Sequence, residues 1–186
     1  LAQQVGGNPA RVIFRIRQHQ HFGGAGNGIN ADLVKVNGQL QEEVYKVGGK
    51  YGSALEKVVY NLTQAIPYAE NDKQAVALRK LIECYNTGDL KAWDDFNIQW
   101  ARAVEGDIDF IHGFVEVYND PLGNRGSYEA IVEINDFEAS DRMKVMMQNA
   151  QWFEDNSPTM AEHKKKEVKG ITYKVVNVAG ESGDAN

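Results

Sequence analysis

Residues 108–129 read Ile-Asp-Phe-Ile-His-Gly-Phe-Val-Glu-Val-Tyr-Asn-Asp-Pro-Leu-Gly-Asn-Arg-Gly-Ser-Tyr-Glu. The alternation of apolar and polar side chains predicts a strand that runs into a Pro/Gly turn and returns as a second strand. One predicted face carries Asp109, Ile111, Gly113, Val115, Val117 and Asn119, apolar from Ile111 to Val117 and suited to a core. The other carries Ile108, Phe110, His112, Phe114, Glu116 and Tyr118. That second face starts apolar and ends on a carboxylate beside a phenol, the pattern of a strand that leaves a core for the wall of a cleft. Asp120, Pro121 and Gly123 occupy the first, second and fourth positions of a type I turn. The return strand, residues 128–134, is expected to lie antiparallel to the first.

Working outward, Asn37-Gly38 stands between two strand-like runs and predicts a hairpin with a type I′ turn, whose two central residues need positive φ. Three amphipathic helices follow. Leu55, Val58, Val59, Leu62 and Ile66 share one stripe, ended by Pro67. Val76, Leu78, Leu81, Ile82 and Tyr85 form the apolar side of a second helix, capped by Asn71 or Asp72. Leu90, Trp93, Asn97, Trp100 and Val104 align on a third. After the return strand, a helix over residues 138–153 is expected to bury Val145, Met146, Trp152 and Phe153. Residues 171–178 read as a last strand and residues 180–186 as a frayed end. The first 28 residues are loop-rich around the short apolar run Val12-Ile13-Phe14-Arg15-Ile16. His19 and His21 form a metal-like pair with no third ligand at a suitable spacing, so a polar surface patch is the simpler reading. The order of elements predicts an α+β fold: an antiparallel β-sheet or small β-barrel with about four flanking helices, over residues 29–186, behind the leading segment 1–28.

Composition narrows the function. A net charge of −6 argues against a nucleic-acid partner, which calls for a basic stripe. No apolar run reaches the roughly 18 residues of a membrane span, so a membrane partner is not expected. The lone Cys84 lies in the helical pattern and reads as a small buried hydrophobe. With no signal peptide in these 186 residues, a cytoplasmic location is the expectation, a secreted or periplasmic parent staying open.

The segment Gly-Phe-Val-Glu-Val-Tyr-Asn-Asp-Pro-Leu-Gly at 113–123 resembles the Gly-Phe-x-Glu-x-Tyr-x-Asp-Pro-x-Gly signature of the dipeptidyl peptidase III family, zinc metallopeptidases that remove dipeptides from the amino end of short peptides. Arg125 and the pair Tyr128-Glu129 continue the likeness, which is similar to the bacterial members over roughly residues 28–179. The resemblance implies a two-lobed parent with a five-stranded β-barrel in its lower lobe and zinc in a helical upper lobe. It assigns Glu116 to the free amino group of the peptide and Tyr118 to the scissile carbonyl. Asp120, Pro121, Gly123, Arg125 and Glu129 become structural support for the cleft strand.

The family's zinc motif, His-Glu-x-x-Gly-His, is absent: His19, His21, His112 and His163 are each without it. The chain is therefore expected to be a fragment of the barrel lobe of a larger peptidase, the alternative being a relative that has lost its catalytic half, without a metal of its own and inactive alone. Zinc would belong to the parent, and the partners would be the peptide substrate and the parent's zinc-bearing lobe. Two other readings stay open: a non-enzymatic peptide-binding module, and an interaction domain. Apart from the resemblance, Glu-x-Tyr on a strand is an ordinary surface pair. His112 reads either as a satisfied, partly buried histidine or as cleft lining.

Overall fold

A computed structural model describes residues 29–103, 105–123, 125–168 and 174–184. The expected features of residues 1–28, including the strand at 12–16 and the His19/His21 pair, lie outside these, as do Val104 and the first part of the expected last strand. The described elements are β1 (Ala31–Val36), β2 (Gln39–Val44), α1 (Gly52–Ala65), α2 (Asp72–Thr87), α3 (Leu90–Arg102), β3 (Ile108–Glu116), β4 (Ser127–Asn135), α4 (Phe137–Gln148), α5 (Ala150–Asp155) and β5 (Val176–Gly183). The fold is α+β. Its strands form two separate antiparallel sheets, β1-β2 and β3-β4-β5, and no closed barrel exists among the described residues.

Local chemistry explains most boundaries. Asn37 and Gly38 have φ of 51° and 84°, the two left-handed residues of a type I′ turn, and β1 pairs with β2 in the matching register. The Asn71 side chain accepts from the Gln74 N–H, which caps α2, and Asp89 does the same for α3 through Lys91. Pro67 sits in a single 3-10 turn, Ile66–Tyr68, that follows α1. The core gathers Tyr45, Leu55, Leu78, Leu81, Tyr85, Phe96, Phe110 and Phe114. It places α1 and α2 against the β3 side chains Phe110 and Phe114. The start of β3 is held by Glu70, whose carboxylate accepts from the Asp107 and Ile108 N–H groups at 2.9 Å.

Four expectations change. The strand expected to run through Tyr118 stops at Glu116, because Phe114 pairs with Tyr128 while Glu116 pairs with Ser127. Val115 is thus the extra residue of a bulge, which moves Glu116 off the Phe114 side. Val76, expected on the inner side of α2, is exposed, and the small neighbours Ala75 and Ala77 are buried instead. The single helix expected over 138–153 breaks at Asn149 into α4 and α5, which gives five α-helices among the described residues. Its expected inner side is uncovered: Val145, Met146, Trp152 and Phe153 are all exposed. Finally, β5 continues to Gly183, paired with Glu129, so residues 180–183 of the segment read as frayed belong to the ladder.

Candidate functional site

The bulge at Val115 decides where Glu116 points. With Ile111, Glu129 and Ile131, it lines a cavity of about 240 Å³ whose opposite wall is α3, chiefly Trp93 and Trp100. Gly113 lets that wall approach, since Trp93 ring carbons lie where a side chain at 113 would start. Trp100 is oriented by its indole N–H, which donates to Asp109 Oδ1 at 3.1 Å. Glu129, directly opposite Gly113 in register, is only 8% exposed. Burial pushes its carboxyl above the usual carboxylate range, and the charges of Glu116 and Asp184 push the same way. Two carboxylates facing an aromatic-walled cavity repel one another, and the buried one, Glu129, is poorly hydrated. A cation placed between them relieves both penalties.

Tyr118 is placed differently. It lies in the turn after β3, is 66% exposed, and does not line this cavity. The Asp184 carboxylate beside it raises the phenol's pKa, and the charges of Glu116 and Glu129 act in the same direction. The structure therefore brings Glu116 and Glu129 to one cavity and leaves Tyr118 at its acidic margin. The strand spacing expected between residues 116 and 118 does not apply, because 118 is no longer in the strand.

The turn itself is held from both sides. The Gly123 N–H donates to the Asp120 carbonyl at 2.8 Å, and Gly123 takes φ of 62°, the left-handed region a glycine enters without strain. Pro121, exposed, occupies the second position. Arg125 donates through Nη2 to Asp120 Oδ1 at 3.1 Å and through Nη1 to Asp32 Oδ1 at 3.0 Å. Asp32, on β1, also accepts from the Tyr45 hydroxyl at 2.7 Å and pairs with Lys50. Burial alone would raise the Asp32 carboxyl, but the bonds from Lys50, Tyr45 and Arg125 outweigh it and hold it at about 2. Asp32 is the residue that sequence reasoning missed. It lies 93 positions before Arg125, and nothing local marks it among the other acids of the hairpin.

Behind this site runs a second polar chain. His112 lies between two phenols, with Nδ1 2.7 Å from the Tyr85 hydroxyl and Nε2 3.1 Å from that of Tyr128. Burial lowers the imidazole to about 4. An unfolded histidine titrates near 6.5, so between these values the unfolded chain binds the extra proton and the folded chain does not. Stability is thus complete above the unfolded value and is lost as the pH falls toward 4. Between about pH 7 and about pH 5 the loss is expected to be about 2 kcal/mol. Urea unfolding at the two pH values checks it, with His112→Asn expected to flatten the dependence.

A family model for peptidase family M49 matches residues 26–180. The chain belongs to that family. Among curated members it is 33% identical over 112 residues to dipeptidyl peptidase 3 of Dictyostelium discoideum, a match covering 60% of this chain and 16% of that protein. With the Nematostella vectensis protein of the same name it shares 29% over 135 residues, covering 73% and 18%. With the human one it shares 34% over 86 residues, covering 46% and 12%. The chain thus spans less than a fifth of the length of these relatives. The fold of dipeptidyl peptidase III from Caldithrix abyssi superposes with a TM-score of 0.70 at 21% identity, covering 85% of this chain and 30% of that one. The Corallococcus enzyme superposes at 0.60 with 19% identity, covering 86% and 29%. M49 peptidases are zinc enzymes. Among the described residues no three His, Cys, Asp or Glu side chains converge as metal ligands, so these residues do not fit a zinc site.

Proposed function

We propose that this M49 chain is the substrate-binding part of a zinc-dependent dipeptidyl peptidase, holding the free amino end of a short peptide at the cavity lined by Glu116 and Glu129, and that it does not cleave peptides alone. The observation that carries the reading is the pairing of a buried carboxylate with a second one against tryptophan walls. An ammonium group is the cation of matching size, and its bond to a carboxylate is charge-assisted. Family membership supports a peptide as its bearer. In this reading zinc and the water it activates belong to the rest of a longer parent enzyme, which is also the chain's main partner. Tyr118 supplies a hydroxyl at the rim. Ionising above its ordinary value beside Asp184, it stays protonated at neutral pH and can turn its hydrogen toward a peptide carbonyl.

The test is binding of a short peptide to the 186-residue chain, followed by calorimetry with its amino end free and then acetylated. Acetylation is expected to weaken binding at least roughly tenfold, the loss of one charge-assisted bond. Glu116→Gln is expected to weaken the free-amine peptide by a similar factor and leave the acetylated one unchanged. Equal affinity for the two peptides would overturn the reading.

A further inference from the structure

A second cavity, of about 590 Å³, opens where α1 meets the end of the β3-β4 pair. Its walls include Tyr45, Tyr51, Leu55, Phe114 and Tyr128, with Arg125 at the rim, and neither Glu116 nor Glu129 reaches it. The volume lies within the range of pockets that hold small organic groups. The rings are already arranged to receive another: Tyr45 and Phe114 have centroids 4.9 Å apart, Tyr45 meets Tyr51 edge-on at 5.1 Å, and Phe114 meets Tyr128 edge-on at 5.7 Å.

Two further observations define the ligand. The first is charge. The ionic groups in the cavity wall are Asp120 and Arg125, an anion and a cation bonded to each other, and Arg125 is bonded in turn to Asp32, which pairs with Lys50. Lys50 also lies over the Tyr45 and Tyr51 rings, at 5.6 and 5.4 Å, so their attraction for a cation is already used. An incoming charge would have to break this set, whereas a neutral ring need not.

The second is a proton count. Neutral His112 has one ring N–H and one bare nitrogen. Tyr85 is buried, and His112 is its hydroxyl's hydrogen-bond partner. If His112 carried its proton on Nδ1, the Tyr85 O–H would be left buried with no acceptor, a costly arrangement. The Tyr85 hydroxyl therefore donates to Nδ1, and Nε2–H donates to the Tyr128 oxygen. Tyr128, which lines the cavity, keeps its own O–H free to donate.

We propose that this cavity is a binding site for an uncharged aromatic ring bearing a hydrogen-bond acceptor, of the class of a phenol, with the Tyr128 hydroxyl donating to that acceptor. Both a free small molecule and the side chain of a peptide present this chemistry. The site is independent of the amine reading for Glu116, and its probes are followed at the signals of Tyr45, Phe114 and Tyr128, so that binding at the Glu116 cavity is told apart.

The test titrates the full chain, by NMR, with 4-methylphenol, toluene, 4-methylbenzoate and 4-methylbenzylamine. At those signals saturable binding is expected for the phenol, roughly fivefold weaker binding for toluene, which lacks the acceptor, and none tighter than toluene for the two ions. Ala54→Phe, at an exposed position of α1 that lines the cavity, is expected to weaken the phenol at least roughly tenfold by filling the space. Tyr128→Phe is expected to bring the phenol down to the affinity of toluene. Nitrogen shifts of His112 are expected to show the proton on Nε2. A blocked tripeptide with a central tyrosine separates the two sources: it binds only if the cavity takes peptide side chains. The proposal is overturned by no saturable binding of the phenol, by binding indifferent to Ala54→Phe, by tighter binding of either ion at this cavity, or by a proton on Nδ1.

Discussion

Asp32→Ala is expected to destabilise the chain by about 3 kcal/mol at neutral pH. The carboxylate is 8% exposed and accepts from Tyr45, Lys50 and Arg125 together. Its removal leaves the Tyr45 hydroxyl, in the core, without its acceptor and two cations short of an anion. Breaking a buried pair typically costs about 3–5 kcal/mol, and the lower end applies because Lys50 and Arg125 keep partial access to water. Acid should mimic the substitution. The folded carboxyl titrates at about 2, below its unfolded value, so its contribution is complete above the unfolded value and is lost as the pH falls through about 2. Chemical denaturation at neutral pH measures the first effect, and acid unfolding of the parent chain against Asp32→Asn measures the second. A loss below about 1 kcal/mol for the alanine variant would mean that the hairpin is not clamped through this residue. Because Arg125 continues the chain to Asp120, two residues beyond Tyr118, the variant should also loosen the turn at the margin of the proposed amine site.

The second large effect is expected at Gly113. An added Cβ would lie 2.3 and 2.5 Å from two carbons of the Trp93 ring, far inside van der Waals contact, and the residue's φ of 155° is itself unfavourable for a side chain. Overpacking of this kind costs about 1–3 kcal/mol, and Gly113→Ala is placed at the upper end because strand and indole must both move. Trp93 packs on Phe96 at a centroid distance of 5.3 Å, so retreat of the indole disturbs the core on that side. Moving into the neighbouring cavity instead would bring it toward Glu129. Peptide affinity should then fall along with stability. A double-mutant cycle with Trp93→Leu isolates the contact: Gly113→Ala should cost at least about 1 kcal/mol less in the leucine background. Additive effects would show that the contact with Trp93 does not cause the loss.

How far the sequence could be read differs from element to element. Asn37-Gly38 predicted its turn because positive φ is a property of those two residues alone. Asn71 predicted the start of α2 because a cap is made within three residues. Residues 113–123 carry the family signature, and the family model places nearly the whole described chain within M49. In each case the cause lies within a few positions, or in a motif that can be matched as letters.

What the letters left undecided depended on partners far along the chain. The alternation in residues 108–118 is regular to the end, yet the ladder with β4 inserts Val115 as a bulge and turns Glu116 to the cavity under α3. A bulge is a property of two strands, and one strand's pattern cannot contain it. The uncovered side of α4 and α5 has the same cause: periodicity marks an apolar stripe but not whether anything covers it. Glu129 read as support for a strand, and only the packing of Trp93 and Trp100 over the sheet makes it a buried carboxylate facing Glu116. Asp32 had no local mark at all. Its role exists because folding brings β1 to the turn after β3, and a buried charge takes its meaning from whatever the tertiary structure sets beside it.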